Sequence, residues 1–178
     1  MKTEIEVKIL DIDVPALKKR LKAIDAKRVF AGLLTTTYYD STDGSFKKSG
    51  KTLRLRSGKE KGDKDILCLK VKRKDRDVKR ADEYELAISD PQTMHTIILQ
   101  LGFKQKATES KFRTSYAVGN SSVEINVYKN VKIPAFIEIE SPSKKKLFYV
   151  VRQLGYTPAQ TNTMTVGDLM RHYGVQRK

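Results

Sequence analysis

The chain has 178 residues, 39% of them apolar, enough to fill the core of one substantial domain over residues 1–178. A single cysteine, Cys68, excludes an intrachain disulfide and any cysteine-built zinc cluster. The net charge of +15, from 36 basic against 21 acidic residues, biases the surface toward phosphorylated or otherwise anionic partners.

In chain order, hydrophobic periodicity predicts a strand over residues 4–10, a helix over 14–25, and strands over 35–40, 52–56, 65–72 and 83–88. A helix over 91–101 follows, then strands over 111–118, 122–128 and 135–140, a helix over 143–154 and a short one over 166–173. Asp13 and Asp90 each precede a first-turn proline as N-caps, and Gly102 and Gly155 supply C-terminal stops. Residues 58–63 and 73–80 read as polar, mobile loops. No apolar run approaches a signal sequence or a membrane span, and Met1-Lys2-Thr3-Glu4 runs directly into a strand pattern. A soluble, cytoplasmic protein without membrane contact is expected.

Three strands carry glutamates one residue apart: Glu4 and Glu6, Glu83 and Glu85, Glu138 and Glu140. Strand side chains alternate between faces, so each pair points the same way. Each such strand is followed by a helix and then a small residue, a pattern consistent with a diverged duplication. Alternation collects Glu4, Glu6, Lys8, Arg54, Arg56, Lys70, Lys72, Glu83, Glu85, Lys111, Arg113, Glu124, Asn126, Tyr128, Glu138 and Glu140 on one face. Ile5, Val7, Leu53, Leu55, Leu67, Leu69, Val123, Ile125, Ile137 and Ile139 fall on the other.

For any one strand the simpler reading is a charged face turned to water. Eight strands sharing three main helices would instead tend to close, because closure removes exposed edges. The expected fold is therefore α+β: an eight-stranded antiparallel closed β-barrel with flanking helices. Charges lining its interior must pair or meet counter-ions. A metal triphosphate would satisfy both signs, with carboxylates on Mg2+ or Mn2+ and arginines and lysines on phosphoryl oxygens.

Glu4-Ile5-Glu6-Val7-Lys8, Tyr38-Tyr39-Asp40-Ser41-Thr42-Asp43-Gly44, Leu53-Arg54-Leu55-Arg56, Leu69-Lys70, Glu83-Tyr84-Glu85, Lys111-Phe112-Arg113 and Phe136-Ile137-Glu138-Ile139-Glu140 resemble, in that order, the CYTH superfamily. The resemblance covers about residues 1–175. It implies a triphosphate tunnel metalloenzyme, a group containing class IV adenylyl cyclases, thiamine triphosphatases and inorganic triphosphatases. Carried over by position, it implies that Glu4, Glu6, Glu138 and Glu140 surround Mg2+ or Mn2+. Lys8, Arg54, Arg56, Lys70 and Arg113 would bind the triphosphate, with Lys8, Arg54, Arg56 and Glu85 in catalytic roles and Glu85 and Glu83 orienting the bases. Lys72 and Lys111 divide between substrate contact and structural ion pairing, and Glu124 is expected at the rim or in an internal ion pair. A homodimer is left open.

One position departs from the family pattern. Where the resemblance implies a metal-binding aspartate, the best-matching position in this chain is Asn126, which keeps an oxygen donor and loses a charge; a shifted alignment would place Tyr128 there. The expected function is metal-dependent hydrolysis of a phosphoanhydride in inorganic triphosphate, ATP or thiamine triphosphate. The alternatives are a class IV adenylyl cyclase and a non-catalytic module binding triphosphate, polyphosphate or an RNA 5' end. A generic nucleic-acid binder is disfavoured, because the strand aromatics form no exposed stacking platform. His95 and His172 are expected to be surface or packing residues, and Cys68 a small filler.

Overall fold

The protein was analysed as a computed structural model, which describes residues 2–58, 60, 62 and 64–175. Of the loop expected over 58–63, residues 59, 61 and 63 lie outside the described residues. Eight strands form: β1 (Lys2–Ile9), β2 (Lys27–Asp40), β3 (Lys51–Ser57), β4 (Asp65–Arg73), β5 (Lys79–Ile88), β6 (Lys104–Val118), β7 (Ser121–Tyr128) and β8 (Phe136–Glu140). They close into an antiparallel barrel in the order β1-β5-β4-β3-β2-β6-β7-β8, with β8 back on β1. The expected closure therefore holds, and every sheet edge is paired in the ring.

The apolar faces turn outward, where helices cover part of them and leave Leu33, Leu86, Phe112 and Val127 exposed. Ile5, Val7, Ile9, Val123, Ile125, Ile137 and Ile139 form one buried cluster with Leu17 and Leu21 of α1 (Val14–Ala23) and Leu147, Val150, Val151 and Leu154 of α4 (Lys144–Gln153). Each fully buried side chain of this kind contributes roughly 1.5–3 kcal/mol. A second cluster joins Tyr39, Leu55 and Ile88 to Ile98 of α3 (Pro91–Gln100). The Tyr39 hydroxyl and His95 Nδ1 of that helix are hydrogen-bonded at 2.8 Å. Asp13 and Asp90 cap α1 and α3, each accepting a first-turn backbone N–H at 3.0 Å.

The extents differ from expectation in three strands. β2 begins at Lys27 rather than 35, β6 at Lys104 rather than 111, and β5 at Lys79 rather than 83. The early part of β2 reads poorly because its outward residues, Val29 and Leu33, stay exposed, so no polar alternation marks it. Its ladder with β6 runs from Lys27 opposite Ala117 to Asp40 opposite Lys104 and overshoots β3, whose pairing stops at Thr35 opposite Ser57. Beyond that point the chain passes through Gly58, at φ +135° against the Leu33 carbonyl, where a Cβ would lie 2.4 Å from that oxygen.

A short α2 (Ser45–Lys48) was not expected. Asp40 builds it: its carboxylate accepts N–H groups from Ser41 at 2.8 Å and Phe46 at 3.1 Å. The final helix, α5 (Val166–His172), sets Leu169 and Met170 against Tyr128, Phe136 and Leu10. Those three side chains share the inner faces of β7, β8 and the continuation of β1, so α5 stops that end of the tunnel with apolar bulk. Among the described residues no helix is long and apolar enough to cross a membrane.

Candidate functional site

The inner face is built around β1. Register sets Glu6 opposite Glu140 of β8 and Lys79 of β5, Lys8 opposite Glu138, and Glu4 opposite Ala81. Glu4, Glu6 and Lys8 are all buried, Lys8 to 1% exposure. Burial at this depth demands partners. Lys8 Nζ lies 3.0 Å from Glu6 and 2.9 Å from Glu138, and these two carboxylates, against the cost of burial, hold its pKa above the usual lysine value.

Of the four glutamates assigned to metal, three come together. Carboxylate oxygens of Glu4, Glu6 and Glu140 lie within 4.8 Å of one another. Burial, then Glu124 and Glu4, push Glu140 well above the usual carboxylate range, and it shares a hydrogen bond with Glu4. Burial opposes ionisation of Glu4 as well, but Lys70 and the Glu140 hydrogen bond bring it down to about 2. Three carboxylates crowded this closely repel one another, a repulsion that a divalent cation would relieve, so this set of hard oxygen donors fits Mg2+ or Mn2+. Glu138 instead faces cations: Lys8, Arg113 at 3.3 Å and Lys111 at 3.7 Å. These outweigh its burial and hold its pKa well below the ordinary value.

Asn126, fully buried, does not point into the carboxylate ring. Its Oδ1 accepts from Arg113 Nε at 3.1 Å, and its Nδ2 donates to Glu138 at 3.0 Å and to the Glu124 carbonyl at 3.3 Å. The amide thus bridges a guanidinium and a carboxylate, using its acceptor on one and its donors on the other.

The basic residues continue around the ring. Lys70 pairs with Glu4 at 2.5 Å and also with Glu83, and Arg54 reaches Glu83 at 3.5 Å. Arg56 reaches Glu85 at 3.4 Å. Arg113 binds Glu124 at 2.8 Å, placing Glu124 in an internal ion pair rather than at the rim. Burial and Arg113 lower Lys111 to about 8. Lys72, by contrast, is exposed at the far end of β4, away from this group. Cys68 is buried beside Glu83, and burial pushes its thiol pKa up, so it stays a neutral filler.

Several interior residues escaped the sequence reading. Lys79 lies on the inner face because β5 starts early; running the alternation back from Glu83 through Ala81 reaches it. Thr36 and Tyr38 sit opposite Arg56 and Arg54, and Glu109 opposite Thr36. Burial and the Glu109 carboxylate raise the Tyr38 hydroxyl to about 12, so it stays a donor. Glu60 gave no periodic signal at all. From the loop after β3 it reaches Arg113 at 2.9 Å and Arg56 at 3.5 Å, occupying the mouth between two guanidinium groups.

One tunnel therefore holds a cluster of carboxylate oxygens beside a row of ammonium and guanidinium groups. The profile of the CYTH domain family matches residues 2–161. The PH1012 protein of Pyrococcus horikoshii is similar in structure, with 24% identity and a TM-score of 0.77 over 93% of this chain and 98% of that one. A Vibrio parahaemolyticus protein named as a candidate adenylate cyclase has 16% identity and a TM-score of 0.81 over 96% and 98%. A candidate adenylyl cyclase from Hippeastrum, described as having a dominant triphosphatase activity, has 17% identity and a TM-score of 0.63 over 87% and 88%. No curated protein matches the chain.

Proposed function

The chain belongs to the CYTH domain family, and from that premise we propose that it is a divalent-metal-dependent enzyme hydrolysing a phosphoanhydride of a triphosphate. The observation that carries this reading is the Glu4, Glu6 and Glu140 oxygen cluster lying in the same tunnel as Lys8, Lys70, Arg54, Arg56 and Arg113.

In this reading Arg54, Arg56, Lys70 and Arg113 grip non-bridging oxygens, the arginines in a bidentate way. Glu83 and Glu85 hold Arg54, Arg56 and Lys70 in place beforehand, so little reorganisation is needed when charge builds on the leaving diphosphate. Lys8 bridges Glu6 and Glu138 and offsets the repulsion between them. A divalent ion on Glu4, Glu6 and Glu140 would supply charge neutralisation and a more acidic bound water. Water attacks the terminal phosphorus in line, and the P–O bond to the leaving diphosphate breaks.

Hydrolysis is favoured over cyclisation by the similarity to the Hippeastrum protein, which is described by its triphosphatase activity. The binding-only reading draws on Asn126, whose oxygen is committed to Arg113.

The test incubates the protein with inorganic triphosphate, ATP or thiamine triphosphate and Mn2+, resolving phosphate, pyrophosphate, ADP and cyclic AMP. Phosphate release from at least one substrate is expected. Cyclic AMP with pyrophosphate would replace hydrolysis by the cyclase reaction. Triphosphate-dependent thermal stabilisation without any product would establish the binding module instead.

A further inference from the structure

Lys79 belongs to none of the motifs that defined the site, yet it stands inside it. Its Nζ lies 2.5 Å from Glu6 Oε1, the same oxygen that Lys8 Nζ approaches at 3.0 Å. Two ammonium groups on one carboxylate oxygen repel each other in a site of low dielectric.

The two lysines are not equivalent. Lys8 is wedged between Glu6 and Glu138 with its side chain 2% exposed. Lys79 starts its strand, is 25% exposed, and ion-pairs with Glu6 alone among the described residues. Lys79 is therefore the one that can leave.

We propose that Lys79 is a resident counter-ion of Glu6 which a divalent cation displaces, and which then binds the triphosphate, so that one lysine couples metal entry to substrate binding. The inference rests on reading the tunnel as a metal and triphosphate site.

The geometry gives each half of the exchange a cause. A hard cation bound through Glu4, Glu6 and Glu140 needs the Glu6 oxygen, and an ammonium 2.5 Å from that oxygen occupies the approach. The displaced ammonium keeps a flexible four-carbon stem anchored on the inner face. The next inward residue along β5 is the small Ala81, and across it the displaced ammonium would reach toward a phosphate chain held by Lys70, which pairs with Glu83.

Calorimetric titration of Mn2+ and of inorganic triphosphate into the wild-type protein and Lys79→Met separates the two halves. Without triphosphate, Lys79→Met should bind Mn2+ about 5–10-fold more tightly, because no ammonium competes for Glu6. With saturating Mn2+, its triphosphate affinity should fall about 10-fold, the worth of one charge-assisted contact. Lys79→Gln repeats both measurements with a polar side chain should the methionine variant fail to fold, and Lys79→Arg should retain triphosphate binding.

Unchanged or weaker Mn2+ binding in the neutral variants, or unchanged triphosphate binding, overturns the proposal. A wild-type protein that binds Mn2+ but no triphosphate removes the functional reading and this inference together. A wild type that binds both ligands, matched by its Lys79 variants, removes the inference alone.

Discussion

Asn126 is best understood through its neighbours. Its amide donates to Glu138 at 3.0 Å, where an aspartate would set two carboxylates in contact. In the metal-free protein Asn126→Asp should therefore be destabilising by roughly 1–3 kcal/mol, the cost of losing a buried donor. In the presence of Mn2+ the added charge should tighten metal binding about 10-fold. Denaturant melts of wild type and variant with and without Mn2+ check both signs, and a variant stabilised by Mn2+ no more than wild type would show that position 126 has no metal role. Glu60 is the second informative residue. Its carboxylate sits on Arg113 and Arg56, where a phosphoryl group is proposed to bind. Glu60→Gln should raise triphosphate affinity about 5–10-fold by removing that internal competitor; weaker binding in a titration would mean that Glu60 instead positions the arginines. Glu4, Glu6, Lys8, Lys70 and the arginines were legible in the sequence because strand alternation commits each to a face. Glu60 was not, because a loop residue has no period, and its place is set by what it meets across the barrel.

Strands carry the site, and helices shield the outside of the barrel. The inner and outer sets separate along β1, β7 and β8 because the outer Ile5, Val7, Ile9, Val123, Ile125, Ile137 and Ile139 cluster with residues of α1 and α4 while their neighbours face in. α3 does the same on the opposite side without touching the charged residues, so its stability and the site's chemistry should be separable. Asp90 caps α3, accepting from Thr93 N at 3.0 Å and Thr93 Oγ1 at 2.6 Å. Asp90→Ala should cost about 1 kcal/mol in urea denaturation and leave triphosphate affinity unchanged. A large loss of binding would mean that α3 reaches the tunnel after all. The early starts of β5 and β6 were hidden in the sequence because their first residues, Lys79-Arg80-Ala81-Asp82 and Lys104-Gln105-Lys106-Ala107, carry no apolar alternation. The misread start of β5 had a functional consequence, since it concealed Lys79. The loop before it is also more tied than its charge suggested, because Lys144 of α4 pairs with Asp75 at 2.7 Å and Asp77 at 3.0 Å.

At the scale of the whole molecule, an antiparallel ring has turned the usual arrangement inside out, with the apolar core outside the barrel and the ions within. Such an interior is sensitive to protons. Glu4, Glu6 and Glu138 all titrate lower in the folded protein than unfolded, Glu4 at about 2 against 4.5. A depressed carboxylate contributes stability that is complete above the unfolded pKa and drains as pH falls through the folded one. The melting temperature should therefore drop between about pH 5 and pH 2, by about 10 °C for the few kcal/mol that Glu4 alone represents. Glu140 has the opposite sign, being raised, so it weakens the fold as pH rises past its unfolded value. That penalty should be relieved by Mn2+ at neutral pH, seen as a calorimetric shift upward; a melting temperature flat from pH 7 to pH 3 would contradict the internal ion pairs. By itself the sequence determined the eight strands, the ring closure and the charges of each face, because alternation and edge avoidance act locally and leave a period to read. Only the tertiary structure decided which ions meet: that Glu140 joins Glu4 and Glu6 while Glu138 joins the cations, that Asn126 bridges Arg113 to Glu138, and that Lys79 and Glu60 enter the tunnel. Those outcomes depend on register between strands and on contacts across the barrel, distances that no local pattern encodes.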